Sequence, residues 1–307
     1  MKYIKRLIPI IVLFLFLISM IIYSDIVIRS TLKSLDICIN NLFPSMMPFL
    51  ILSSILSNYG FVELVSHLLK PVMTRVFHTN SNSSYVLVLS ILSGSPSNAK
   101  YIKELLDNNK ITIKDANQIL LFSHFVNPIF ITGTVGTIFL EKKLYGFIIL
   151  ASHYLANIIV GIMLRDKYIP SNNTNYNFFN IKPIGFITTL KNSIKDTIDT
   201  LIIVFGTITS ILVFTSIINV YFKFNPILNG ILEITSGLKY TSISKLTTLT
   251  KLIISTFFIS FGGFSIHAQV MSILDNKKIR YFPYLKARIL QGLISTIIVY
   301  ILYIIIF

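Results

Sequence analysis

Eight stretches of this chain contain no Asp, Glu, Lys or Arg: Leu7–Ser24, Ile37–Val62, Val76–Ala99, Ala116–Leu140, Leu144–Leu164, Thr200–Phe222, Leu252–Leu274 and Ile289–Phe307. Roughly 20 apolar residues cross a bilayer core, so each stretch is long enough to span or enter a membrane. Hydrophobic residues make up 53% of the 307-residue chain and charged residues 13%, where an ordinary soluble domain carries about 25% charged residues. A soluble fold could not cover so much apolar surface with so few charges. A disulfide-stapled scaffold is excluded too, because Cys38 has no second cysteine to pair with. The excess of 27 basic over 12 acidic residues would point to nucleic acid in a soluble protein. In a membrane chain it reflects basic cytoplasmic loops instead. The pattern predicts an all-α, polytopic membrane bundle of about eight segments.

Four of these stretches are clean, and four are interrupted. Leu7–Ser24 follows a basic start but no small-residue cleavage site follows it, which predicts a retained first helix. Ile37–Val62 holds Asn40, Asn41, Pro44 and Pro48; Val76–Ala99 ends in Ser93-Gly94-Ser95-Pro96-Ser97-Asn98. Ala116–Leu140 holds Asn127-Pro128, then Gly133 and Gly136; Leu252–Leu274 holds Gly262-Gly263, then His267 and Gln269. A broken helix frees backbone groups that lipid cannot satisfy, so such breaks belong inside the protein or beside a wet cavity.

The longest hydrophilic interval divides the chain. Residues 1–164 form an N-terminal membrane half, 165–199 a polar linker with an amphipathic helix, and 200–307 a C-terminal membrane half. Within the linker, Ile187, Leu190, Ile194 and Ile198 recur at helical spacing opposite Lys191 and Lys195, which predicts a helix lying along the interface. A shift of 168 positions lays Ile91–Ile111 over Ile259–Ile279 with eight identities, among them Gly94/Gly262, Ser97/Ser265, Asp107/Asp275 and Asn108/Asn276. Paired interrupted helices in equivalent positions are a recurrent plan of secondary transporters. An even number of crossings between the two Asp-Asn-x-Lys loops would put both on the cytoplasmic side; a re-entrant hairpin would invert the repeat. The sequence leaves both arrangements open.

Candidate chemistry gathers at the breaks. Ser95 has the residue type of a helix cap and Pro96 suits a first turn. The half-helix behind them would aim free N–H groups and its positive dipole end at an anion. Ser93, Ser95, Ser97, Asn98 and Lys100 are therefore candidate ligands. Ser265, His267 and Gln269 are their counterparts at the second break, and Asn127 stands at the third. An ionisable group within a span is a functional-site hypothesis by default, which singles out His267. Glu233, the one acid in Leu232–Leu238, is a candidate for a coupling ion or proton. Nucleotide-binding loops, H-E-x-x-H and cysteine pairs are absent, so no enzyme, metal or cofactor is expected.

Four of these elements resemble one known family. Ser93-Gly94-Ser95-Pro96-Ser97-Asn98-Ala99-Lys100 is similar to the Ser-Gly-x-Pro-x-Gly-Ala-Lys element of YlbJ-type sporulation integral membrane proteins, in the nucleoside-recognition or Gate-domain group. The run from Asn127 to Gly136, Leu232–Gly237 and Gly262–Gln269 resemble the same family in the same order. Asn98 stands where the family usually has glycine. The resemblance implies a protein of endospore-forming bacteria, made in the mother cell and placed in the outer forespore membrane. It also implies transport of dipicolinate, a flat dianion. The expected partners are a small anionic substrate and the lipid bilayer, not nucleic acid; a homo-oligomer is compatible with the sequence. Two alternatives stand beside transport of an anion: a non-transporting scaffold for spore envelope or cortex assembly, and a carrier of a nucleoside or cortex precursor.

Overall fold

The computed structural model describes residues 2–166, 185–222, 225–275 and 278–307. All regular structure among them is helical. The chain opens with α1 (Lys2–Ile22) and α2 (Ser24–Ile37), whose axes are bent by 92°. A wide, π-type turn over Cys38–Leu42 leads into α3 (Phe43–Asn58). Pro44 lacks the N–H that would close a regular turn on Asn40, and the widened turn absorbs that loss. α4 (Phe61–Leu68) follows at 84° to α3.

α5 (Ser83–Ser93) and α6 (Ser97–Asp107) flank the Gly94 break, and α7 (Ile113–Leu120) runs into a segment without regular structure at 123–127. Beyond Pro128 the chain winds as a wide helix over Phe130–Phe139, then α8 (Lys143–Met163). After residues 167–184, about half of the expected linker, which lie outside the described part, comes α9 (Phe186–Phe222). A short hairpin of α10 (Pro226–Leu232) and α11 (Ile234–Ile243) precedes α12 (Thr248–Phe261), α13 (Gly263–Leu274) and α14 (Tyr281–Ile306).

All eight apolar stretches carry helix, in three different ways. Four units are long and apolar enough to cross a membrane: α8, α9, the α12–α13 pair and α14. The bent pairs α1–α2 and α3–α4 raise that to as many as six. Ser83–Ser93 and Phe130–Phe139 are shorter apolar helices. Large apolar side chains face outward along α1 and α14, whereas Ser152, His153 and Asn157 of α8, Ser255 and Ser260 of α12, and Gln291 and Ser295 of α14 are buried. That inside-out distribution belongs to a bundle whose solvent is lipid.

One expectation changes. The amphipathic segment is no separate helix: α9 runs unbroken for 37 residues. Its Ile187 and Ile198 point outward, 75% and 44% exposed, while Thr189, Ser193 and Thr197 are buried. The apolar stripe faces the surroundings, and the hydroxyl stripe faces the protein. Packing also decides what the sequence left open: the second basic loop meets α7, the helix that follows the first. The Asn117 side chain donates to the Lys278 carbonyl at 3.2 Å and accepts from the Arg280 N–H at 2.8 Å. α6 and α13 pack together and lead into these loops, so the two matched segments run toward the same face. Asn276 and Lys277, in the second loop, lie outside the described residues.

Candidate functional site

The first break is held by a glycine. Gly94 ends α5 at φ 82°, ψ 177°, a region essentially reserved for glycine, and an added Cβ would lie 2.5 Å from the Asn127 backbone nitrogen. The Ser95 N–H donates to the Phe125 carbonyl, pinning the break to the 123–127 segment. Ser95 is no helix cap: α6 begins at Ser97 with Pro96 in the capping position and no side-chain cap. The Ser95 hydroxyl instead donates to the Asn98 carboxamide oxygen at 3.1 Å, and the Asn98 amide donates to Ser123 Oγ at 3.2 Å. Ser93 Oγ donates to the Leu89 carbonyl and accepts from the Tyr101 hydroxyl. Ser97 Oγ is buried without a partner.

Asn127 braces two broken helices at once. Its amide approaches the Leu92 and Ser93 carbonyls at 3.4 Å, at the end of α5. Its oxygen accepts from the Ile129 and Phe130 N–H groups, capping the helix that follows Pro128. His267 does similar work at the second break. A carbonyl only accepts, so His267 Nε2 donates to the Phe261 carbonyl at 2.9 Å and Nδ1 accepts from the Tyr281 hydroxyl at 3.2 Å. The imidazole thus closes a carbonyl where α12 gives way to α13 at Gly262, whose φ is 88°. Both breaks lie inside the protein.

Residues from all four motifs line one cavity. Ser95, Asn127, Glu233, Thr235, Ser265 and Gln269 are its polar walls; Met46, Phe130, Ile208 and other apolar side chains complete it. Its volume is about 40 Å³. Ser265 and Gln269 stand one turn apart on α13, 1% and 2% exposed, and their side chains form no hydrogen bond among the described residues. Glu233 breaks the α10–α11 hairpin and caps α11, accepting from the Thr235 N–H at 2.9 Å and the Ser236 N–H at 2.7 Å. Lys33 donates to Ser236 Oγ at 2.7 Å on the same first turn. Among the described residues, Glu233 is the one charged side chain in the cavity wall.

Other expected ligands lie elsewhere. Lys100 and His267 do not line the cavity, nor do Ser93, Ser97 and Asn98. The Lys100 ammonium is buried with no hydrogen bond and lies within electrostatic reach of Asp196 and Asp199 on α9 and Glu104 on α6. It follows the Gly94 break by six residues.

The sequence reading missed a second polar centre. Arg288, just before the last charge-free stretch, is fully buried in the second turn of α14. Its guanidinium donates to Gln291 Oε1 and the Leu121 carbonyl, lies 5.3 Å from the centre of the Tyr284 ring and has no ion pair among the described residues. Around it stand His124, His153 and His267, all buried. His153 Nε2 accepts from the Val126 N–H at 3.0 Å, which leaves Nδ1–H to meet Ser260 Oγ at 2.9 Å. The available signals were two histidines in charge-free stretches and an Arg three residues before a Gln.

Residues 39–165 match the Gate family, described as nucleoside recognition. Over 302 aligned residues the chain is 31% identical to the sporulation integral membrane protein YlbJ of Bacillus subtilis (strain 168), covering 85% of this chain and 74% of that protein. The chain belongs to the YlbJ family. No solved structure matches it. The Gate-matched part of this YlbJ-family chain contributes Ser95 and Asn127 to the cavity, while Glu233, Ser265 and Gln269 come from beyond it.

Proposed function

We propose that this YlbJ-family membrane protein is a carrier, not an enzyme, and moves a small anion during sporulation. Family resemblance implies the cargo, dipicolinate, and the route, from the mother cell across the outer forespore membrane. The observation that carries this reading is the convergence of four separate motifs, each at a helix break, on one largely apolar cavity into which a few polar side chains are set. Polar groups in a membrane interior are expensive, and a scaffold has no use for hydroxyls and amides left without partners there.

The cavity's size and charge shape the proposal. About 10–15 Å³ accommodates one water, so the 40 Å³ present holds a few waters and no pyridine ring. The walls must separate to admit cargo, as in a carrier closed around its site. Glu233 would repel a dianion, and the Lys33 ammonium within its electrostatic reach offsets only part of that repulsion. A coupling cation bound beside Glu233 would offset the rest, which makes Glu233 the proposed coupling residue.

One observation favours a second reading, a nucleoside as cargo. Among the described residues the cavity wall carries no basic side chain, and the matched family is described as nucleoside recognition. The two are separated by purified protein in proteoliposomes given labelled dipicolinate or labelled uridine and adenosine, together with the dipicolinate content of spores after gene deletion. Uptake of dipicolinate, and deletion spores that lack it, are expected. Nucleoside uptake without dipicolinate uptake would replace the anion reading.

A further inference from the structure

We propose that Arg288, Tyr284 and His124 form a binding station for a carboxylate group, on the side of the 123–127 segment away from the polar cavity. The inference rests on the anion-carrier reading only for the identity of the cargo.

Three unsatisfied polar groups meet at this point. Arg288 Nε, the Tyr284 hydroxyl and both ring nitrogens of His124 are buried without a hydrogen bond. The His124 ring approaches the Ile259 backbone without completing one. The His124 and Tyr284 ring centres are 6.5 Å apart, and Arg288 Cζ is 5.3 Å from the centre of the Tyr284 ring. A native protein tolerates an occasional buried group without a partner. Three adjoining ones, of which one is a full charge with no counter-ion, amount to a site built for something absent from the chain.

The chemistry of that missing group can be read from its hosts. A guanidinium has five N–H donors, and Gln291 and Leu121 use two of them. The Nε edge remains, and a carboxylate accepts from such an edge through both its oxygens. The Tyr284 hydroxyl and a His124 N–H can serve the remaining lone pairs. One carboxylate also balances the one unpaired positive charge. If Arg288 served only to close the end of α7 at Leu121, nothing would require the neighbouring tyrosine and histidine to lack partners.

An access route adjoins the station. A surface cleft of about 690 Å³ is lined by Lys114, Asn117, Leu121, Lys278 and Arg280, with Asp166 paired to Lys114 at 3.0 Å. Its basic rim would concentrate anions, and its wall includes Leu121, whose carbonyl holds Arg288. Beyond the station, the 123–127 segment is the partition. His124 faces Arg288, while Val126 and Asn127 line the polar cavity. An anion entering by the cleft therefore reaches Arg288 before the cavity.

The test is binding by titration calorimetry to the purified full chain in lipid nanodiscs. The probes are pyridine-2,6-dicarboxylate, pyridine-2-carboxylate and the uncharged pyridine-2,6-dicarboxamide, with proteoliposome uptake run in parallel. Wild type should bind both carboxylates and not the diamide. Arg288→Gln should weaken carboxylate binding at least about 30-fold, the lower end for removing a buried charged partner. Arg288→Lys and Tyr284→Phe should give smaller losses, of several fold. Each variant is first checked for its unfolding temperature; if Arg288→Gln does not fold, the two milder variants carry the test. Folded variants that bind carboxylates like wild type would overturn the station and leave the carrier reading intact. Carboxylate binding that depends on Arg288, without dipicolinate uptake, would uphold the station and overturn the cargo. A wild type that binds neither carboxylate overturns the station, and uptake then judges the carrier separately.

Discussion

Glu233 has two duties that a substitution can separate. Its carboxylate caps α11 through two backbone N–H groups and also presents the cavity's one charge. Glu233→Gln keeps an acceptor for the cap and removes the charge, so the helix start should lose no more than about 1 kcal/mol. Dicarboxylate affinity at neutral pH should rise, because a repelling charge has gone. Uptake into proteoliposomes should lose its stimulation by an imposed proton or sodium gradient, and stimulation that persists in this variant would place coupling elsewhere. Lys100 lies at the opposite extreme. Its buried ammonium holds no hydrogen bond and is outside the cavity wall, so Lys100→Met should leave the dipicolinate dissociation constant within about threefold of wild type. A large loss of affinity would return Lys100 to the binding site. Ser95, Asn127, Glu233, Ser265 and Gln269 were legible in the sequence because polar residues at helix breaks stand out against apolar stretches. Arg288 was not. The charge-free stretch starts at Ile289, but α14 starts at Tyr281, so a charge just outside the apolar run is inside the helix and buried by α7.

At the scale of elements, the two breaks are alike in position and unlike in build. α12 and α13 together pass as one apolar unit with a single interrupting residue, whereas three residues separate α5 from α6. Their glycines should therefore respond differently. At Gly94, a new Cβ meets the Asn127 backbone at 2.5 Å in a conformation side chains avoid, and backbone cannot step aside. At Gly262, it meets the His124 ring at 2.7 Å with φ at 88°, and a ring can rotate away. Gly262→Ala should cost about 1–2 kcal/mol of strain plus the displacement of His124, seen as a lowered unfolding temperature and weaker carboxylate binding. Gly94→Ala should fail to accumulate as folded protein. Equal unfolding temperatures for the two variants would contradict this difference in build. The α9 result shows what periodicity can and cannot tell. The spacing of Ile187, Leu190, Ile194 and Ile198 fixes that the helix has an apolar face. It does not fix whether that face meets protein or lipid, because both are apolar, and here Thr189, Ser193 and Thr197 turn inward.

For the whole molecule, the undecided question was which way the matched segments run. Crossing parity depends on whether each broken stretch crosses once or folds back, and tertiary packing settles that, not composition. The contact of Asn117, in the α7 helix that follows the first loop, with Lys278 and Arg280 of the second puts the two loops on one face. Lys103, Lys110 and Lys114 join Lys278, Arg280 and Lys286 around them, and so concentrated a positive charge predicts that this face is cytoplasmic. The basic cleft beside Arg288 opens on the same face, so the proposed carrier is expected to admit its anion from the cytoplasmic side. Asp107 and Asp275 are equivalent in the repeat and exposed in the two loops, which makes them probes of this arrangement. In a Cys38→Ser background, Asp107→Cys and Asp275→Cys should both react with a membrane-impermeant maleimide in inverted vesicles, and neither should react in right-side-out vesicles. Labelling of the two from opposite sides would mean that the repeat is inverted and that the Asn117 contact does not form in the membrane. Labelling of both from outside would keep the shared face but reverse the direction in which the cleft admits its anion.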